Sequence, residues 1–254
     1  MACLNCKAET EGDYCSNCGQ RTSLGRLDMA TIIRDLLSFA TDSDNRFWST
    51  LRHLMLNPGR VSVTYVDGAR QKYLNPFNVY FLSVAAFFAV SVWLGYFSES
   101  VASTNAQLQE IVKESDLLTP NIKELVEQTS SFTAVWLKEL AIASKPLSAW
   151  FFLLLYRNHG RNYPEILTFT LYLGAQNFFL ITMIMLLETL FSATVFGGVG
   201  FLIWGSYFIL SSKAFFAISW PRTFMLALPA FIMDWLALYI LAFTFGHLSV
   251  LGFV

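Results

Sequence analysis

Residues 76–97 read PFNVYFLSVAAFFAVSVWLGYF, a stretch of twenty-two positions without a charge. An α-helix needs about 20 apolar residues, at roughly 1.5 Å per residue, to cross the hydrocarbon core of a bilayer. The stretch is long enough to be a transmembrane helix. Asn75 and Pro76 suit an N-cap and a first helical position. Tyr73 and Tyr80 at one end, with Trp93 and Tyr96 at the other, stand where aromatic residues gather at membrane–water boundaries. The rest of the chain agrees with this reading. It has 254 residues, of which 55% are hydrophobic and 14% charged, with 24 phenylalanines. A soluble domain of this size carries about 25% charged residues to cover its surface, and a disordered chain needs low hydrophobicity.

Working outward, four more apolar stretches lie at about 138–156, 164–190, 193–211 and 223–250. Lys145–Pro146 marks a kink or an interfacial start in the first of them, and the last is long enough to tilt or to break near Pro229. Residues 98–137 are polar and acidic with apolar residues at helical spacing, which predicts an extramembrane helical insert. The expected fold is an all-α integral membrane protein of about five transmembrane helices with a small N-terminal four-cysteine zinc ribbon. Its divisions are 1–22 for the ribbon, 23–75 for cytoplasmic juxtamembrane helices and 76–254 for the transmembrane domain. The polar N-terminus has no apolar core of a signal peptide, and no lipid-attachment pattern is present.

Charge sets the expected orientation. With the N-terminus inside, 13 Lys/Arg lie on the inner connections and 4 (Lys113, Lys123, Lys138, Lys145) outside. The positive-inside rule favours that arrangement. The net charge of -1 offers no basic excess to drive nucleic-acid binding, so no nucleic-acid partner is expected.

All four cysteines fall in the first 18 residues, as Cys3-x2-Cys6-x8-Cys15-x2-Cys18. Each Cys-x2-Cys turn brings two thiolates to one ion, and two such turns complete a tetrahedral four-thiolate site. Two disulfides or redox chemistry are the alternatives; a cytosolic N-terminus keeps thiols reduced and favours metal. Four thiolates saturate a zinc ion, so the expected cofactor is one structural zinc per chain. About 20 residues hold no core of their own, and metal binding then becomes folding energy.

Between the cysteines and the first span, Leu27, Ile32, Ile33, Leu36, Leu37 and Ala40 form one apolar stripe, and Phe47, Trp48, Leu51, Leu54 and Met55 a second. Asn57–Pro58 opens a further short turn that Gly68 ends. These faces either lie on anionic lipid, with Arg52, Arg60, Arg70 and Lys72 as contacts, or pack on the inner ends of the transmembrane helices.

The motifs Cys3-x2-Cys6…Tyr14-Cys15-x2-Cys18-Gly19-Gln20, Thr50-Leu51-x2-Leu54-x3-Pro58-Gly59 and Tyr65-x2-Gly68-x-Arg70-x2-Tyr73-x2-Pro76 together resemble a family of bacterial membrane proteins of unknown function with an N-terminal zinc ribbon. The resemblance is specific over residues 3–80 and looser over 163–190 and Tyr207…Trp220. It implies several transmembrane helices after the ribbon and a bacterial inner-membrane location. It implies no activity, catalytic residue or ligand.

Few ionisable groups fall within the apolar stretches. Asp234 lies near the middle of the last and Glu188 near the outer end of the third. A charge at the bilayer centre costs at least about 2.5–3.5 kcal/mol on insertion scales. Asp234 is therefore either part of an ion or proton pathway, or hydrogen-bonded to a neighbouring helix, for instance to Gln176 or Asn177. His159, between Arg157 and Arg161, is either a phosphate ligand or part of an ordinary positive turn. No nucleotide loop, dinucleotide fingerprint or nucleophile elbow is present, and the reading leans away from an enzyme. The expected function is an accessory, assembly or scaffold subunit in the lipid bilayer that docks another membrane or cytosolic protein through its cysteine module. The alternative is a transporter or lipid-handling protein using Asp234 and Glu188.

Overall fold

The computed structural model describes residues 2–31, 44–95, 110, 120–191 and 196–250. Within them the chain is helical: α1 (Asp44–Leu56), α2 (Arg60–Val66), α3 (Pro76–Trp93), α4 (Pro120–Leu155), α5 (Tyr163–Phe191), α6 (Phe196–Phe216) and α7 (Trp220–Val250). A short 3-10 turn, Arg157–His159, joins α4 to α5. α3 begins as its sequence dictates, with the Asn75 side chain accepting from the Phe77 amide at 2.9 Å and Pro76 in the first turn.

α5 is the axis of the bundle. Residues 165–176 are buried without interruption, and α3, α4 and α6 all pack on this helix. α7 closes the bundle on the outside against α4 and α6. The core is aromatic. Phe169 stacks on Phe215 at 4.6 Å between ring centres, Tyr156 stacks on Phe216 at 3.7 Å, and Phe152 meets both Phe169 and Phe208. α7 turns a broad apolar face outward, including Phe224, Leu228 and Tyr239, each more than half exposed. An apolar face of that extent calls for lipid or a partner, not water.

Among the described residues, three helices are long and apolar enough to cross a membrane: Pro76–Trp93, Tyr163–Phe191 and Trp220–Phe245. The expectation of five spans is corrected to these three. The stretch at 138–156 shares α4 with Lys138, Glu139, Lys145 and Pro146, and the described part of the stretch at 193–211 lies on α6 with four glycines, Ser206, Ser211, Ser212 and Lys213. The three charges and the proline dilute the stretch on α4.

Two further boundaries move. The polar segment 120–137 and the apolar segment that follows are one continuous helix, α4, so polarity marked a change of surroundings and not an end of secondary structure. The remainder of the expected insert, 98–119, lies outside the described residues except for Glu110. The last stretch is also one unbroken helix through Pro229. The expected helix at 27–40 is described only at its start, where the Asp28 carboxylate accepts from the Thr31 amide at 2.9 Å; the rest lies outside the described residues.

Candidate functional site

The cysteine module consists of two turns with the same internal wiring twelve residues apart. In the first, the Cys3 amide donates to Ala8 and the Lys7 amide donates back to Cys3. In the second, the Cys15 amide donates to Gln20 and the Gly19 amide to Cys15. Isolated antiparallel bridges, Ala2 with Glu9 and Tyr14 with Arg21, close the two turns. Lys7 and Gly19 both take positive φ, at 64° and 69°, directly after the second cysteine of each turn. Glycine does this without strain, whereas Lys7 must be held there by its turn. Among the described residues the expected ribbon is thus a pair of bridged turns and not a sheet.

The four Sγ atoms all lie within 4.8 Å of one another. Cys3 and Cys18 approach to 3.6 Å and Cys6 and Cys15 to 3.5 Å. A tetrahedral ion with bonds of about 2.3 Å to sulfur spaces its ligands by roughly 3.8 Å. The cluster therefore fits one metal ion with four sulfur ligands. The thiols have different environments. The Asn17 side chain and the Ala8 backbone hold Cys6 down from 9.0 to about 6, whereas burial pushes Cys15 up to about 11.

The module is fastened to one end of the bundle. Leu4 sits on Gly68, which has φ 110° and no room for a Cβ beneath that side chain. The Gln20 side chain donates to the Gly68 carbonyl at 2.8 Å and accepts from the Gln71 amide at 3.3 Å. Arg26 grips Glu165 at the start of α5 through two bonds, 2.8 and 3.1 Å, and donates to the Gly160 carbonyl at 2.6 Å. Asn162 donates to the Leu27 carbonyl at 3.0 Å. Gln20 and Arg26 did not stand out in the sequence, although Gln20 belongs to the motif after Cys18.

The juxtamembrane helices resolve a choice left open by their periodicity. α1 packs on the bundle, with Leu54 buried and Phe47 against Phe179 of α5, while Trp48 stays 69% exposed. The last carbonyls of a helix lack partners within it. Those of Leu54 and Met55 accept from Gln176 at 2.8 Å and Tyr207 at 2.6 Å. Gln176 is thus a cap for α1 and not a partner of Asp234.

Asp234 is instead paired with Lys145, whose Nζ lies 2.9 and 3.1 Å from the two carboxylate oxygens. The pair joins α7 to α4 within the bundle, with side-chain exposures of 9% for Lys145 and 16% for Asp234. Gly174 of α5 makes room for it: a Cβ there would stand 2.6 Å from the Tyr80 ring and 3.2 Å from Lys145 Cε. The Tyr80 hydroxyl donates to the Ala141 carbonyl at 2.8 Å, in the turn before Pro146. Lys145, counted among the outer charges in the sequence, is thus spoken for by a carboxylate inside the bundle. The signal available in the sequence was the presence of one cation and one carboxylate in two otherwise apolar stretches. Glu188 has no ion-pair partner among the described residues, and the structure records no contact between it and Asp234.

Of the four basic residues expected to meet lipid, Arg60 and Lys72 come together around a cavity of about 220 Å³ lined also by His53, Asn57, Thr64 and Tyr73. Arg70 turns away to donate to the Gly25 carbonyl at 3.1 Å, and Arg52 is exposed and outside the cavity. Arg161 of the polar turn is already engaged, with Asp67 at 3.6 Å and over the Phe215 ring at 4.8 Å.

Residues 44–88 match the model of a family described as a protein of unknown function, DUF3667. The matched segment runs from α1 into α3 and contains every residue that lines the cavity. No curated protein matches the chain, and no solved structure does.

Proposed function

We propose that this chain is a non-enzymatic, multi-pass membrane protein of the bacterial inner membrane. In this reading its N-terminal module is a zinc-stabilised cap on the cytoplasmic end of the bundle and docks another membrane or cytosolic protein. The carrying observation is the four-sulfur cluster on a module latched to the bundle through Gln20–Gly68 and Arg26–Glu165. Four sulfur ligands leave no open position for substrate or water, which suits a structural ion rather than a catalytic one. Latching to the bundle suits a rigid fixture, and Tyr14 on its outer side is 64% exposed. The cytoplasmic assignment rests on the basic residues that share this end with the module, Arg26, Arg60, Lys72 and Arg161, and on the positive-inside rule.

A photo-crosslinking residue at Tyr14, used in native membranes, tests the docking role. The reading predicts one discrete protein adduct that disappears in the Cys6→Ser variant. An absence of adducts, or an adduct that persists in that variant, overturns it.

A second reading is favoured by the Lys145–Asp234 pair. Charges buried in an apolar helical bundle mark ion or proton pathways as well as structural contacts. Transport then depends on Asp234, and Asp234→Asn abolishes uptake while the folded protein persists. Unchanged uptake in that variant removes the reading.

A further inference from the structure

The cavity between α1, α2 and the segment before α3 is built from one kind of chemistry. Arg60 and Lys72 supply two cations; Asn57, Thr64 and Tyr73 supply neutral polar groups, and none of the six lining residues is acidic. Among the described residues neither Arg60 nor Lys72 takes part in an ion pair, and Asp67, between them in the chain, is matched to Arg161. Lys72 rests over the Tyr73 ring at 5.4 Å, and the ring of His53 meets the same tyrosine edge-on at 5.5 Å. The tyrosine thereby fixes both cationic and imidazole groups at the wall.

His53 is oriented by its own helix. Its Nδ1 lies 2.6 Å from the Ser49 carbonyl, which only accepts, so Nδ1 carries the hydrogen. Nε2 is left as the ring nitrogen open to a ligand, able to accept from a P–OH group or, once protonated, to donate to an oxyanion. A planar guanidinium, an ammonium, an amide and a hydroxyl offer more donors than a carboxylate has oxygen positions to receive, and they match the three free oxygens of a phosphate. A water takes up about 30 Å³ of liquid, so the volume admits one such group with a few waters.

We propose that this cavity is a binding site for a phosphate group, carried by a phosphomonoester lipid headgroup or by a soluble phosphate. The location suits either source. Lys72 and Tyr73 lie directly before the helix that starts at Pro76, which is long and apolar enough to cross a membrane, and Arg60 and Lys72 are exposed. None of the six lining residues belongs to the cysteine module, so the proposal survives if the docking role fails.

The test uses the full chain in nanodiscs. In one arm, inorganic phosphate is titrated into protein held in phosphatidylcholine and binding is followed calorimetrically. In the other, nanodiscs contain equal phosphatidic acid and phosphatidylglycerol, and retained lipid is counted by native mass spectrometry. Arg60→Gln and Lys72→Gln each weaken binding by roughly tenfold or more, the size of one lost charge-assisted hydrogen bond. Arg52→Gln, which removes a neighbouring exposed charge outside the cavity, leaves it unchanged. Selective retention of phosphatidic acid assigns the headgroup, calorimetric binding alone assigns a soluble phosphate, and either supports the site. Both cavity variants alter only exposed side chains, and unchanged circular dichroism verifies their folding. No binding in either arm, no preference among lipids together with no phosphate binding, or equal losses from Arg52→Gln overturns the proposal.

Discussion

The described N-terminal segment 2–31 buries Cys3, Cys15 and Leu27 as its apolar side chains, whereas residues 165–176 of α5 bury every side chain they have. The first region is too small to gain its order from the hydrophobic effect, and its four clustered sulfurs could order it by holding a metal ion. The second is ordered by stacked aromatic rings and by polar groups that find partners across helices. The two regions therefore respond to opposite perturbations. Removing metal acts on the first alone, and disturbing helix packing acts on the second alone.

The largest expected effect follows from that separation. Chelation, or Cys6→Ser, unfolds the module and exposes the Arg21 and Arg26 peptide bonds to trypsin, while the circular dichroism of the helices stays nearly constant. Uniform loss of helicity would show that the two regions are a single cooperative unit. Acid acts on the module in the same direction as chelation. Because Cys6 is held down to about 6, its thiolate is kept above that pH and protonated as pH falls through it. Cys15, pushed up to about 11, carries its proton at neutral pH and must release it to bind metal. Metal content is expected to fall on acidification as protons compete for the thiolates, and metal uptake at neutral pH should release protons.

The bundle meets its largest effect at the buried ion pair. Lys145→Ala leaves the Asp234 carboxylate without its cation and should cost about 3–5 kcal/mol in unfolding experiments. A Lys145→Met, Asp234→Leu double variant should recover most of the loss, because both charges are then gone. Additive losses would mean that the two residues do not act as a pair. Gly174→Ala comes next. Its Cβ meets the Tyr80 ring, and the overpacking should cost about 1–3 kcal/mol without altering metal content. The smallest effect is at the seam between the regions. Gln20→Ala removes the bond to the Gly68 carbonyl at a cost of about 1 kcal/mol, and quicker hydrogen exchange at residues 68–71 is expected while the helices stay protected. Faster exchange spreading through α5 would contradict a local seam.

What could be read in advance followed local rules. The cysteine spacing marked the four-sulfur cluster, Asn75–Pro76 marked the start of α3, and the apolar runs located α5 and α7. What could not be read depended on topology. The Lys145–Asp234 pair links positions 89 residues apart, and no local pattern joins them. Gln176 and Asn177 stood open as hydrogen-bond partners for Asp234, yet the Leu54 carbonyl at the end of α1 claims Gln176. The excess of spans arose because an apolar run was equated with a crossing, although Lys138, Glu139 and Lys145 share α4 with that run. Arg60 and Lys72 were legible as basic positions, but their convergence with His53 and Tyr73 required the turn between α1 and α2. That turn rests on Gly59, whose φ of 77° and close approach to the Ser211 carbonyl leave no room for a side chain.

The most direct test of the account is the metal content of the full chain purified in detergent, measured by elemental analysis alongside Cys6→Ser. The account predicts about one zinc ion per chain, the capacity of a single four-thiolate site, and loss of that zinc in the variant. A wild-type protein whose N-terminal module resists trypsin but holds no metal would contradict it.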